Sequence, residues 1–279
     1  MNLLNIFKEI ERVDPEFNER ISPRRAAIRN MAGFGSKVAL SALPLALGSL
    51  FQKAYGQTQP TDVNGILNFA LTLEYLEAEF YTMGVAASGL VPAGTPAVGA
   101  LTAIRNDENA HVNFLKTALG ANAVAKPTFD FTAKGAFPNP FAAGNYDVFL
   151  ALAQAFEDTG VRAYKGQAPN LMSNKDVLTA ALNIHSVEAR HASHIRQMRR
   201  ARPGGAANLE PWITGNDRGG IPAGAQAVYN GEELETQAGV KISGIAASGI
   251  TISVDAATEA FDEPMGYADV LNIAKLFIA

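Results

Sequence analysis

The sequence predicts an all-α protein, a four-helix bundle with one long crossover connection and a C-terminal tail. Three observations lead to this prediction. Four segments carry apolar residues at the 3.6-residue period of an amphipathic helix. The connection at 121–145 is long for a bundle, which is typical of a crossover between layers. Each apolar seam also contains a glutamate near its middle, which indicates that the four seams share one polar layer.

The helix boundaries follow from capping and breaking residues. We expect helices at about 63–85, 97–119, 146–165 and 174–200. Thr61–Asp62 and Ser173–Asn174 are suitable N-caps for the first and fourth helices, and Gly120 is a suitable C-terminal glycine for the second. The bundle is therefore predicted to span residues 57–202.

Residues 203–279 differ in composition and are predicted to form an irregular extension that packs on the bundle. Alternating β-branched residues in 240–255 predict a short β-hairpin. Residues 266–278 have the pattern of a terminal amphipathic helix that docks on the bundle. Asp262 and Glu263 are interpreted as a solvated turn.

The first 56 residues have the organisation of an export signal. Arg24–Arg25 precede an apolar run at 38–51, and the small residues Ala54 and Gly56 follow it. A basic region, a short apolar region and a small-x-small site are typical of a secretory signal, and the arginine pair resembles a twin-arginine signal. We expect 1–56 to direct export to the periplasm or cell envelope. The alternative is an uncleaved membrane anchor, although the apolar run is shorter than the roughly 20 residues of a membrane span.

Composition excludes several classes of function. The chain of 279 residues has no cysteine, which excludes disulfides, cysteine-based zinc and iron–sulfur sites, and a cysteine nucleophile. Residues 57–279 hold 15 basic and 22 acidic residues, a net charge of about −7 with histidine neutral. Such a charge repels a phosphate backbone, so we expect no nucleic-acid partner.

Acidic and imidazole side chains occupy the middle of the otherwise apolar seams. These residues are Glu74, Glu108, His111, Glu157, Glu188 and His191. The second and fourth helices each carry Glu-x2-His, a spacing that places both side chains over one face. The first and third helices each carry Glu-x6-Tyr, at Glu74/Tyr81 and Glu157/Tyr164. Seven residues return to nearly the same helix face, so each glutamate and tyrosine stack two turns apart. The pattern indicates a duplicated helix pair.

The seam carboxylates require neutralisation, because unpaired carboxylates are very costly to bury. The inward faces offer too few arginines or lysines to pair with them. Two divalent metal ions would balance four carboxylates, and an oxygen-rich set with one imidazole for each ion suits iron or manganese. A glutamate from two helices and Glu-x-x-His from two others is the ligand set of di-iron and di-manganese bundles.

Four further acidic or imidazole residues lie near this pattern. Glu77 lies one turn from Glu74 and is a possible additional ligand, although the pattern favours a solvent-accessible rim position. His185 is a possible ligand, but it is a better candidate for contacting the ligand side chains than for binding the metal itself. Glu79 and His194 are expected to face solvent.

Three segments resemble the ferritin-like superfamily. They are "DVNGILNFALTLEYLEAEFY" (62–81), "NDENAHVNFL" (106–115) and "EARHASHIRQMR" (188–199). They are most similar to exported bacterial ferritin-like proteins related to plant desiccation-related proteins. The resemblance implies that the six seam residues bind the metal ions. It also implies that Tyr81 and Tyr164 lie near the metal site with a possible catalytic role.

The resemblance leaves the reaction open. It implies redox chemistry on O2 or peroxide, of the ferroxidase, peroxidase or catalase-like type, in stress defence. The alternatives are a non-catalytic desiccation-protection or iron-sequestering bundle and an envelope interaction module anchored by 38–51. The expected partners are metal ions and O2 or peroxide, with membrane contact only through an uncleaved signal. A dimer is compatible with the sequence.

Overall fold

A computed structural model describes residue 60 and the ranges 62–205, 208–247 and 249–279. The predicted export signal at 1–56 lies outside the described residues. Within the described ranges no helix combines the length and the apolar character required to cross a membrane.

The long helices of the described region confirm the predicted bundle. Their bounds are α1 Val63–Ala86, α2 Pro96–Leu119, α3 Tyr146–Gln167 and α4 Lys175–Arg200. The side chain of Asp62 caps α1 by accepting a hydrogen bond from the Gly65 amide at 2.8 Å, and Asn174 caps α4 in the same way. Gly120 ends α2 with φ +55°, a conformation that favours glycine.

The crossover runs along the length of the bundle. α1 packs mainly on α2, and α3 packs mainly on α4. At one end, the amide of Val124 donates to the Asn68 side chain near the start of α1. At the other end, Phe131 and Phe141 of the crossover pack on Phe80 near the end of α1. The chain therefore begins α3 at the end of the bundle where α1 finishes.

Two apolar layers enclose the middle of the bundle. One layer is aromatic, with the rings of Phe80 and Phe149 stacked at 4.6 Å and Phe156 edge-on against Phe80. The other layer contains aliphatic side chains such as Leu71 and Leu115. The seam glutamates lie between these layers in all four helices.

The tail contains short elements, and the last of its helices packs on α3. They are β1 Thr236–Gln237, β2 Val240–Lys241, β3 Ala246–Ala247, β4 Ile250–Thr251, α5 Val254–Thr258 and α6 Tyr267–Ala274. The strands form two antiparallel pairs, β1–β2 and β3–β4, where the sequence predicted one hairpin within 240–255. α6 is shorter than the predicted 266–278, but it docks through Val270 and Ile273 as expected.

Buried arginine contacts also hold the tail on the bundle. Arg162 of α3 pairs with Glu232 at 2.6 Å and donates to the carbonyls of Asn230 and Glu263, each at 2.9 Å. The interpretation of Glu263 as part of a solvated turn is wrong, because its side chain is buried and accepts a hydrogen bond from Gln237.

Candidate metal centre

Each long helix contributes one fully buried glutamate to the middle of the bundle. Glu74, Glu108, Glu157 and Glu188 all have 0% exposure. The apolar layers above and below exclude solvent from them. Among the described residues, no lysine or arginine forms an ion pair with any of the four.

His111 lies at the centre of a first group of ligand atoms. Its Nδ1 atom lies 3.1 Å from Oε2 of Glu74, 3.1 Å from Oε2 of Glu108 and 3.2 Å from Oε1 of Glu188. One atom from each of these four residues lies within 4.8 Å of the others, a spacing that can hold a metal ion.

His191 lies in a second group. Its Nδ1 atom lies 2.7 Å from Oε1 of Glu108, 3.5 Å from Oε2 of Glu157 and 3.8 Å from Oε2 of Glu188. Glu108 and Glu188 therefore belong to both groups, and each directs one oxygen to His111 and the other to His191. Glu74 and Glu157 each belong to one group only.

Several polar atoms of the centre lack hydrogen-bond partners. They are Oε1 of Glu108, Oε2 of Glu157, both carboxylate oxygens of Glu188 and Nδ1 of His191. The 2.7 Å approach of His191 to Glu108 brings two of these atoms together without the alignment of a hydrogen bond. Buried polar atoms without partners are expensive, and coordination of cations would satisfy them. This set of buried carboxylates and imidazoles is therefore compatible with bound metal ions.

The shifted pKa values of the centre reflect its concentration of buried negative charge. Burial, together with the neighbouring carboxylates, raises the pKa of Glu108 to about 8 and that of Glu188 to about 8. Burial opposes protonation of His191, but the charges of Glu157 and Glu108 outweigh it and raise the pKa to about 11. The three glutamates around His111 raise its pKa in the same way. Protons thus take the place of cations when no metal is bound.

The two predicted tyrosines hydrogen-bond across the bundle. The hydroxyl of Tyr81 donates to Oε1 of Glu157 at 2.5 Å, and that of Tyr164 donates to Oε1 of Glu74 at 2.5 Å. Burial and the adjacent carboxylates raise the pKa of both phenols, so both remain neutral donors. Each tyrosine therefore orients a glutamate that belongs to the other helix pair.

Glu77 is buried beside the centre, and the favoured rim position was wrong. Its exposure is 3%. A Cβ atom placed on Gly160 would lie 3.3 Å from Oε1 of Glu77 and 3.6 Å from Oε2 of Glu188. Gly160 of α3 corresponds to Glu77 of α1 in the duplicated helix pairs. Because glycine has no side chain, it leaves room for the extra carboxylate of Glu77. Burial, with the charge of Glu188, raises the pKa of Glu77 well above its ordinary value.

His185 lies outside both groups of ligand atoms. Its Nδ1 atom lies 3.0 Å from the carbonyl oxygen of Val161, and burial lowers its pKa. His194 is exposed, as expected. Glu79 is partly exposed and pairs with Lys126 at the surface.

Asp107 is a contributor that the sequence interpretation missed. Its Oδ2 atom lies 3.2 Å from Nε2 of His191, the ring nitrogen that faces away from the ligand group. A carboxylate in this position fixes the orientation of a metal-binding imidazole. Its position directly before Glu108 in the sequence is the feature that could have revealed this role. The matching residue before Glu188 is Val187, which cannot support His111 in this way.

Comparison with known proteins assigns a family to the part of the chain that forms this centre. A family model described as a ferritin-like domain matches residues 61–201, just over half of the chain. No curated protein and no solved structure was found to match. The match covers all four long helices and ends where the tail begins.

We expect the metal-free protein to lose stability as pH rises from about 5 to about 8. Because the pKa values of Glu108 and Glu188 rise from 4.5 to about 8 on folding, the folded state binds more protons than the unfolded chain in this window. The raised histidine pKa values act in the same direction. Thermal unfolding in the presence of a chelator measures the effect. The double variant Glu108→Gln/Glu188→Gln should have a flatter profile, and an equal or steeper decline in that variant would contradict the explanation.

Asp107→Ala should weaken metal binding at the Glu157–His191 group alone. Loss of a carboxylate behind a ligating histidine typically lowers metal affinity by roughly 10–100-fold. Calorimetric titration of the metal-free protein with Mn(II) should therefore show one weakened step and one unchanged step. Asp269→Ala, at an exposed aspartate of α6, is the matched control. Two unchanged steps would show that Asp107 does not support the site.

Proposed function

We propose that this chain, which belongs to the ferritin-like domain family, binds two divalent iron or manganese ions between its four long helices and carries out redox chemistry on O2 or peroxide. One observation carries the proposal. Glu108 and Glu188 each direct one oxygen toward His111 and the other toward His191, an arrangement suited to two neighbouring cations. Iron or manganese in such a site supplies one-electron and O2 chemistry when bound.

The donor set favours these metals over calcium, magnesium and copper(I). Each group offers three carboxylates and one imidazole. All-oxygen sites suit calcium and magnesium, whereas thiolate or thioether ligands select copper(I). The four carboxylates of the two groups together also balance the charge of two dications. Both iron and manganese accept this ligand set.

The tyrosines and the apolar layers prepare the site for this chemistry. Tyr81 and Tyr164 hold Oε1 of Glu157 and of Glu74 by hydrogen bonds, which leaves the Oε2 atoms directed at the imidazoles. The aromatic layer around Phe80 excludes water from one side. Rigid and dry surroundings of this kind limit reorganisation of the ligands.

Glu77 adds a proton-carrying group to the proposal. Burial and the charge of Glu188 raise its pKa, which favours the protonated form of this carboxyl. Reduction of O2 or peroxide consumes protons, and a buried carboxylic acid can supply one. Glu77 is also a candidate for an additional metal ligand, since it is buried and senses the charge of Glu188.

Substitution of Glu108 tests the proposal. The purified protein should contain two iron or manganese ions per chain and should consume peroxide or oxidise Fe(II). Glu108→Ala removes an oxygen from both groups, so we expect it to lose both ions and its turnover. Elemental analysis and the two rate assays measure these outcomes.

Glu79→Gln is the matched control, because Glu79 lies on the same helix as Glu74 but pairs with Lys126 at the surface. It should retain metal and turnover. Bound metal without turnover in the parent protein would favour the sequestering or stress-protection function instead. A parent protein that binds neither metal would overturn the proposal.

Export is the remaining part of the proposed function, and it rests on the sequence of residues 1–56. A twin-arginine signal commonly carries folded cargo, so the metals could be inserted before export. Peroxide consumption outside the cytoplasm would then serve in stress defence. N-terminal sequencing of the secreted protein should find a new terminus near residue 57. An intact terminus in the membrane fraction would favour the anchor.

A further inference from the structure

An apolar cavity lies within the aliphatic layer of the bundle. All four long helices line it, with Leu67 from α1, Leu115 from α2, Tyr164 from α3 and Ala181 from α4. Its volume is about 170 Å³. We call it the aliphatic cavity. None of the residues that line it belongs to the two groups of ligand atoms.

The inner end of the aliphatic cavity lies one helical turn from the metal centre. Leu115 follows His111 by four residues on α2, and Ile184 precedes Glu188 by four residues on α4. Residues four apart lie on the same helix face, about 6 Å apart along the axis. Leu115 and Ile184 therefore form the layer between the cavity and the ligands on these two helices.

Tyr164 connects the aliphatic cavity with the centre through a hydrogen bond. Its ring lines the cavity, and its hydroxyl donates to Oε1 of Glu74 at 2.5 Å. A phenol has one proton to donate, and Glu74 accepts it. Tyr164 therefore has no second proton to offer to a molecule in the cavity.

The outer end of the aliphatic cavity opens to solvent between α2 and α4. Phe114 of α2 is 48% exposed at this end, and Ala180 of α4 is partly exposed. Asp176 is exposed in the first turn of α4, and it carries the only charge among the described residues that line the cavity. The cavity therefore extends from solvent to the neighbourhood of the ligand layer.

The lining of the aliphatic cavity favours an apolar molecule over a polar one. Apart from Tyr164 and Asp176, the described residues of the lining have aliphatic or aromatic side chains. A hydroxyl that enters such surroundings loses its hydrogen bonds to water without replacement, which disfavours hydrogen peroxide. O2 has no hydroxyl group and bears no such cost. An apolar protein cavity of roughly 150 Å³ holds xenon, an apolar atom that serves as a probe for O2.

We infer that the aliphatic cavity admits O2 to the metal centre and that O2, rather than peroxide, is the oxidant supplied by this route. The inference rests on the proposed function and specifies its oxidant. Each O2 takes up two electrons, one from each divalent ion, and two protons, and it leaves as one hydrogen peroxide while both ions become trivalent. Peroxide has a polar approach past Asp107, whose side chain is 54% exposed and contacts His191.

Xenon tests the aliphatic cavity without any metal-dependent assay. The metal-free protein should give a specific xenon NMR shift in solution. Ala180→Phe fills the cavity from its partly exposed rim, and Ala181→Leu fills it from a buried position, so both should abolish this shift. Leu182→Phe is the matched control, because Leu182 is exposed on the same helix and does not line the cavity. A parent protein whose response equals that of both filled variants would overturn the inference.

The same variants identify the oxidant that uses the route. In stopped-flow measurements on the Fe(II)-loaded protein, the filled variants should react with O2 roughly tenfold more slowly than the parent, because a side chain must move before O2 can pass. Their oxidation by peroxide should be unchanged, and Leu182→Phe should match the parent with both oxidants. Equal losses with O2 and peroxide, or an unchanged O2 rate in variants that no longer bind xenon, would overturn the inference. The xenon measurement needs no metal, so failure of the cavity is distinguishable from failure of metal binding.

Discussion

The burial of four carboxylates in one layer of the bundle is the constraint on which the rest of the structure depends. Glu74, Glu108, Glu157 and Glu188 are fully buried, and arginine or lysine does not pair with them within the described residues. Such a layer is stable only when protons or cations neutralise it. The surrounding apolar layers and the tyrosine hydrogen bonds hold the carboxylates in place, whether protons or cations neutralise them. Stability and metal binding are therefore linked in this protein.

The duplicated helix pairs do not produce two equivalent sites. Glu77 in the first pair corresponds to Gly160 in the second, and Gly160 leaves the space that the Glu77 carboxyl approaches. Asp107 supports His191, whereas Val187 stands at the matching position for His111. The first helix pair therefore has an extra carboxylate, Glu77. The second pair has His191, the imidazole whose outer nitrogen contacts a carboxylate. Two ions bound here would experience different surroundings.

The tail contributes partners for charges on the outer side of α3 and α4. Arg162 is buried with Glu232, and Asp158 accepts from Tyr229 as well as from Arg196. Without the tail, these buried or partly buried groups would lose hydrogen-bond partners or gain solvent. The matched family domain ends at residue 201, so the tail is an addition that both covers the bundle and forms a cavity with it.

The sequence alone determined the helices, the crossover and the six seam residues, because helical periodicity and capping are local properties. The repeat of Glu-x6-Tyr and Glu-x2-His also predicted which side chains would converge. Tertiary structure decided the burial of Glu77, which depends on the missing side chain of Gly160 in another helix. It also decided the contact of Asp107 with His191 and the burial of Glu263. These contacts join residues far apart in the chain, so no local period could specify them.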